Sequence, residues 1–168
     1  MVRPKNIREP AGAVETRTMT TVEVPTLAVL QIEEDSNDML LLQHAITEAA
    51  LDVTLHSVPD GEAAITYLKG ATPYHDRKKH PMPDLILSDL KMRGKDGLEM
   101  VQWLRQQPEL KFIPVIILTS SGSEQDMRRA YEKGVNSYLI RPVNFKEFTH
   151  LIEMVYGYWL QLNRRPIG

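Results

Sequence analysis

The sequence predicts an α/β domain: a five-stranded parallel, doubly wound sheet with helices on both faces. Three observations carry the prediction. Between residues 26 and 162, short β-like runs and helical patterns alternate five times, the order that parallel βαβ units produce. Several strand runs are continuously aliphatic, as strands covered on both faces must be. Helix start and stop residues, such as Asp60-Gly61, Gly70 and Gly134, fall between the runs.

The elements follow in order. Leu27-Ala28-Val29-Leu30-Gln31-Ile32 reads as the first strand. Residues 37–50 place Leu42, Ala45, Ile46 and Ala49 at helical spacing, with Asp35 or Ser36 as the cap. Val53-Thr54-Leu55-His56-Ser57-Val58 is the second strand. Asp60 and Gly61 open a helix through Leu68, which Gly70 stops. The segment from Ala71 to Met82 is a long polar loop, expected to be mobile or a contact surface. Pro83-Asp84-Leu85-Ile86-Leu87-Ser88-Asp89 is a strand that ends on a carboxylate. A helix from Asp96 to Gln106 carries Leu98, Val101 and Leu104. Pro114 to Thr119 is the fourth strand, residues 124–133 a short helix, and Asn136 to Ile140 the fifth strand. The last helix runs from Phe145 to about Gln161, with Phe145, Phe148, Leu151, Ile152, Val155 and Trp159 on one stripe.

Residues 1–25 lack periodicity and large apolar groups and read as a flexible N-terminal tail; 163–168 read as a C-terminal tail. The 168 residues fit one domain able to bury a core. A net charge of −2 gives no electrostatic case for nucleic acid or a membrane surface. The absence of Cys excludes disulfides, thiolate chemistry and Cys-ligated zinc. No apolar run approaches the ~18 residues of a membrane span, and no apolar leader is seen, so a cytoplasmic protein is expected.

Polar groups fall at four strand ends: Glu33-Glu34-Asp35, Asp89, Thr119-Ser120-Ser121 and Arg141-Pro142. A parallel sheet brings these ends to one edge, where such folds place their ligands. Carboxylates there suit a hard divalent cation, above all Mg2+. A hydroxyl and a fixed cation opposite them suit a phosphoryl group. Taken singly, each residue has a plainer reading: Asp89 as a turn residue or helix cap, Glu33-Glu34-Asp35 as a solvated turn, Thr119 as a strand-end hydroxyl, Tyr138 as core or half-exposed filler.

Together these motifs resemble the CheY-like receiver domain of two-component response regulators. The resemblance covers about residues 26–160 and includes Asp89-Leu90-Lys91-Met92-Arg93-Gly94-Lys95-Asp96-Gly97, similar to the family's phosphorylation loop. Within the family the chain is most similar to small single-domain regulators associated with bacterial phytochrome kinases. The features are the long loop at 71–82, Pro108-Glu109-Leu110, Asn136-Ser137-Tyr138 and the aromatic end Tyr156-Gly157-Tyr158-Trp159-Leu160. The resemblance implies that Asp89 accepts a phosphoryl group from the phosphohistidine of a sensor histidine kinase. It implies Mg2+ held by Glu33, Glu34, Asp89 and the Lys91 backbone carbonyl. It implies that Thr119 follows the phosphoryl group and that Tyr138 changes rotamer, biasing a two-state surface. Arg141 takes the conserved cation's place. Only self-phosphotransfer and autodephosphorylation are expected, not turnover of a separate substrate. With no DNA-binding domain after residue 162, the output is expected to be protein contact with a downstream target, including a homodimer.

Three positions depart from the family pattern. Glu34 stands where Asp is usual, and the extra methylene moves a ligand of a geometry-demanding ion. Arg141 replaces Lys, a planar fork for a point charge. Arg93 stands where Pro is usual. Either Arg141 reaches the longer Glu34 and compensates, or the chain is a phosphorylation-independent pseudo-receiver acting as a binding module. Among other readings, Thr119-Ser120-Ser121-Gly122 is faintly similar to a flavodoxin phosphate loop, but that loop would follow the first strand, where this chain has carboxylates. A haloacid-dehalogenase-like phosphatase would need Asp where Lys91 stands. His75 and His80 read as a solvated pair rather than a zinc site, and Arg77-Lys78-Lys79 as a solvated charge run.

Overall fold

Continuous aliphatic runs put apolar side chains on both faces of the central strands and so call for two helical layers. The computed structural model describes residues 26–90 and 97–166 and has that form. The elements are β1 (Leu27–Ile32), α1 (Ser36–Glu48), β2 (Val53–Val58), α2 (Gly61–Lys69), β3 (Leu85–Ser88), α3 (Gly97–Arg105), β4 (Val115–Thr119), α4 (Glu124–Lys133), β5 (Ser137–Ile140) and α5 (Phe145–Val155), followed by a π-helical segment, Tyr156–Leu162. The strands form one parallel sheet in the order β2-β1-β3-β4-β5. The chain direction across the sheet reverses between β1 and β3, where ligands bind in such sheets.

Successive side chains of a strand point to opposite faces. Leu30, Ile32, Ile86, Val115 and Ile117 therefore meet α2, α3 and α4 through Tyr67, Leu68, Leu98, Leu104 and Ala130. Val29, Leu85, Leu87, Ile116 and Leu118 meet α1 and α5 through Leu42, Ala45, Ile46, Phe148, Ile152 and Val155. Side-chain caps fix the helix starts: Asp35 accepts from the backbone N–H groups of Asn37 and Asp38, Asp60 from Ala63, Ser123 from Asp126 and Asn144 from Glu147. Gly134 ends α4 at φ 99°, a left-handed conformation that glycine adopts without a Cβ penalty. A Cβ there would also come within 3.0 Å of Arg105 Cγ.

Arg105 ties three connections together. Its guanidinium donates to the carbonyls of Gly134 (2.8 Å), Lys111 (2.8 Å) and Ile113 (2.9 Å) and to Asn136 Oδ1 (2.7 Å). Asn136 Oδ1 also accepts from the Val115 N–H at 2.8 Å. At the opposite edge of the sheet from the strand ends, Asp84 accepts from the Ala28 N–H at 2.9 Å and pairs with Arg165 at 3.4 Å.

Four expectations need correction. The 71–82 loop is anchored. Arg77 donates to the carbonyls of Tyr67, Leu68 and His80, and the Tyr67 hydroxyl donates to Pro81. Arg77 is thus no member of a solvated run; it binds the carbonyls of Tyr67 and Leu68 in the last turn of α2, where the Tyr67 carbonyl also accepts from the Gly70 N–H. His80 is no solvated partner of His75 either, because its ring packs edge-on against Tyr67 and Tyr74, at 5.7 and 5.2 Å. Finally, the last helix is α-helical only to Val155 and continues as a π-helix. Gln161 donates to the Tyr156 hydroxyl at 2.8 Å, a spacing of five residues that a π-turn brings face to face. Trp159 still packs on the core, whereas Phe145 at the helix start is 40% exposed. The expected tail at 1–25 and the expected start of the third helix at Asp96 lie outside the described residues.

Candidate functional site

Parallel register builds the site. Ile32 pairs with Ser88, and Thr119 with Ile140, so the residues that follow these strands share one edge. Adjacent strands lie about 4.8 Å apart, which places Glu33, after β1, beside Asp89, after β3. Backbone bonds hold both: Glu33 N–H donates to Val58 at 3.0 Å and Asp89 N–H to Ile32 at 3.1 Å.

Glu33 is 4% exposed, and its Oε1 accepts from the Asp35 N–H at 2.9 Å. Burial pushes its carboxyl pKa above 4.5, and the neighbouring charges of Asp89 and Asp38 push the same way; the Asp35 N–H and Arg141 oppose them. A buried carboxylate crowded by two others is the electrostatic signature of a site that takes a cation. Glu34, the next residue, is exposed. Asp89 is half-buried, and its Oδ1 accepts from the Leu90 N–H at 2.7 Å.

Thr119 is buried at the end of β4, and its Oγ1 accepts from the Ser121 N–H at 3.2 Å. Arg141 is fixed through its backbone, whose N–H donates to Thr119 at 2.7 Å. Its guanidinium lies 2.8 Å from Asp38 Oδ1 and 3.8 Å from Glu33 Oε2. These pairs differ from the compensating contact to Glu34 that the sequence suggested. Glu33, Asp38, Ser88, Asp89 and Arg141 line one depression at the β1/β3 crossing. Tyr138, on β5, is turned inward and 9% exposed, and its hydroxyl donates to the Ser121 carbonyl at 2.9 Å. Burial raises its phenol pKa.

The structure therefore brings together Glu33, Asp89 and Arg141, with Thr119 and Tyr138 along the next two strands. Lys91 and Arg93 lie outside the described residues. Among the described residues, no three acidic or imidazole groups close into a metal cage by themselves. Mg2+ does not require one, since it commonly binds through one or two carboxylates and keeps several waters. Glu33 and Asp89 fit that donor set. Sequence reasoning missed Asp38. Its position in the first turn of α1 was its only signal, because that turn points at the same sheet edge.

Comparison with known proteins agrees with this arrangement. The family model for the response regulator receiver domain matches residues 29–153. Response regulator Rcp1 of Synechocystis is 34% identical over 142 residues, covering 84% of this chain and 95% of Rcp1. The solved Mn2+-bound form of Rcp1 superposes with a TM-score of 0.72, covering 84% of this chain and 99% of that one. Response regulator RPA3017, of red light signaling in R. palustris, has a TM-score of 0.80 at 31% identity, covering 84% of this chain and 99% of its own. The phosphorylated cyanobacterial phytochrome response regulator RcpA has a TM-score of 0.76 at 29% identity, with the same coverage. Fold, strand-end chemistry and similarity agree: the chain belongs to the response regulator receiver-domain family of two-component systems.

Proposed function

We propose that the chain is a single-domain response regulator that accepts a phosphoryl group on Asp89. The observation that carries this reading is the meeting of Asp89, Glu33, Thr119 and Arg141 at one sheet edge. An Asp89 carboxylate oxygen attacks phosphorus, the bond from phosphorus to the donor's imidazole nitrogen breaks, and the imidazole leaves. Mg2+, bound by Glu33, Glu34, Asp89 and the Lys91 carbonyl, would neutralise charge on the transferred group. Thr119 offers its hydroxyl to a phosphoryl oxygen. Its hydroxyl now accepts from Ser121 N–H, and Tyr138 holds the Ser121 carbonyl. A pull on Thr119 therefore reaches Tyr138 through one residue. Two positions of Tyr138 would then give two states of the surface made by α4, β5 and α5.

The donor in this reading is a sensor histidine kinase of the phytochrome type, which the resemblance to RPA3017 and RcpA supports. The output is contact with a downstream protein and a second copy of this chain. No described helix is long and apolar enough to cross a membrane. Asp89→Asn should abolish labelling by acetyl phosphate with Mg2+, read as intact mass, while leaving the fold unchanged. Full labelling of that variant would remove Asp89 from this role.

One observation favours a second reading. Arg141, in place of the family's Lys, is held by Asp38. A phosphorylation-independent binding module on the same fold would leave the parent chain unlabelled in the same assay.

A further inference from the structure

We propose that Asp38 is a positioning residue that restrains Arg141, so that phosphorylation of Asp89 must draw the guanidinium away from the first turn of α1. This rests on the phosphoacceptor reading above. The two ion pairs of Arg141 are unequal. At 2.8 Å, Asp38 makes a charge-assisted hydrogen bond; at 3.8 Å, Glu33 is only a neighbouring charge. The Arg141 side chain is 16% exposed, and its Nε is buried with no hydrogen-bond partner. An orphaned buried donor is costly, so the resting position leaves capacity unused.

Asp38 itself is well fixed. Its N–H donates to the capping carboxylate of Asp35, and its carbonyl accepts from Gln31 Nε2. Gln31 in turn accepts from Ser57 on β2. The restraint on Arg141 is thus anchored on α1, β1 and β2, while Arg141 follows β5. Transfer turns the Asp89 carboxylate into an acyl phosphate that carries close to two negative charges, a net gain of about one, and adds strong acceptor oxygens. The phosphoryl group competes with Asp38 for the same fork and offers Nε an acceptor. Transfer to Asp89 would loosen the tie between the start of α1 and the segment after β5.

The test uses the full chain, acetyl phosphate and Mg2+. Labelling is timed by intact mass, and the Arg141 Nε–Hε signal is followed by NMR, assigned by its loss in Arg141→Lys. Asp38→Asn keeps the side-chain size and removes the charge; it should label roughly three- to tenfold faster, as expected when a competing resting state is depopulated. Its Arg141 signal should move before any phosphate is added. Asp38→Glu should restore slow labelling, and Asp38→Ala should repeat the acceleration if Asn disturbs the helix start. A labelled parent with an unchanged or slower Asp38→Asn overturns the assignment of Asp38 alone. Faster labelling with an unmoved Arg141 signal marks a bulk-charge effect and overturns it too. If neither protein gains phosphoryl mass, the phosphoacceptor reading falls and takes this assignment with it.

Discussion

Arg105→Ala should be among the most destabilising single changes in this chain. Its guanidinium makes four hydrogen bonds, two of them in partly buried surroundings, to Gly134 and Ile113, and two exposed, to Lys111 and Asn136. Burial pushes the Arg105 pKa down, yet the group stays charged. Taking about 1.5 kcal/mol for each partly buried charged bond and about 0.5 for each exposed one gives a loss of about 4 kcal/mol. At about 3 °C per kcal/mol for a chain of this size, Tm should fall by roughly 12 °C. The damage should be local as well as global. Gly134 and Asn136 lead into β5, which carries Tyr138 and ends next to Arg141. Hydrogen exchange should therefore speed up first at 134–141. Arg105→Lys should recover only part of the loss, because one ammonium cannot span four acceptors in a fixed fork. A Tm within 4 °C of the parent for Arg105→Ala would show that water replaces the guanidinium and that the bonding account is wrong.

Three further outcomes are expected. Glu33→Gln should raise stability at neutral pH. The parent carboxyl has a raised folded pKa, so its contribution is present below 4.5 and is lost as pH rises through the folded value. The gain in Tm should shrink towards zero in acid, and a gain that grows on acidification would reverse the argument. Glu34→Asp should tighten Mg2+ binding in a calorimetric titration, since the shorter side chain restores the family's usual ligand length; weaker binding would refute the geometric reasoning. Tyr156→Ala with Tyr158→Ala should shift sedimentation from dimer to monomer, because Tyr158 is 53% exposed and stands edge-on to Trp159 at 4.9 Å. A parent that is monomeric at high concentration, with and without beryllofluoride, would remove the basis for it.

The parts of the fold legible in the sequence are those set by local chemistry. β2 spans Val53–Val58 and α4 Glu124–Lys133, the bounds read from the sequence, with Gly134 as the stop for α4. The π-helical end was not legible, because α and π turns draw on the same residue types and differ only in which neighbours must meet. Phe145 matched the apolar stripe of α5 yet is half-exposed; it is the first residue of the helix, and its periodicity alone could not show that. Glu33, Asp89, Thr119 and Arg141 were legible as strand ends, since parallel strands bring such ends together. Asp38 was not, since a carboxylate in the first helical turn is also what favourable interaction with the helix dipole selects. The anchoring of the 71–82 loop was hidden for a similar reason: Arg77 has the composition of a solvated charge and the job of a helix-end cap.

The pairing of Arg165 with Asp84 has a practical consequence. Asp84 precedes β3 and Asp89 follows it, so the pair sits five residues along the strand, about 16 Å, from the candidate phosphoacceptor. Residues 163–166 are thus moored on the far side of the sheet from the chemistry. A fluorophore or spin label placed at Arg164 would ride on the rigid body without crowding Asp89, Tyr138 or the α4–β5–α5 face. Distances measured from that mark to β5 would report movement of the switch against a stationary reference.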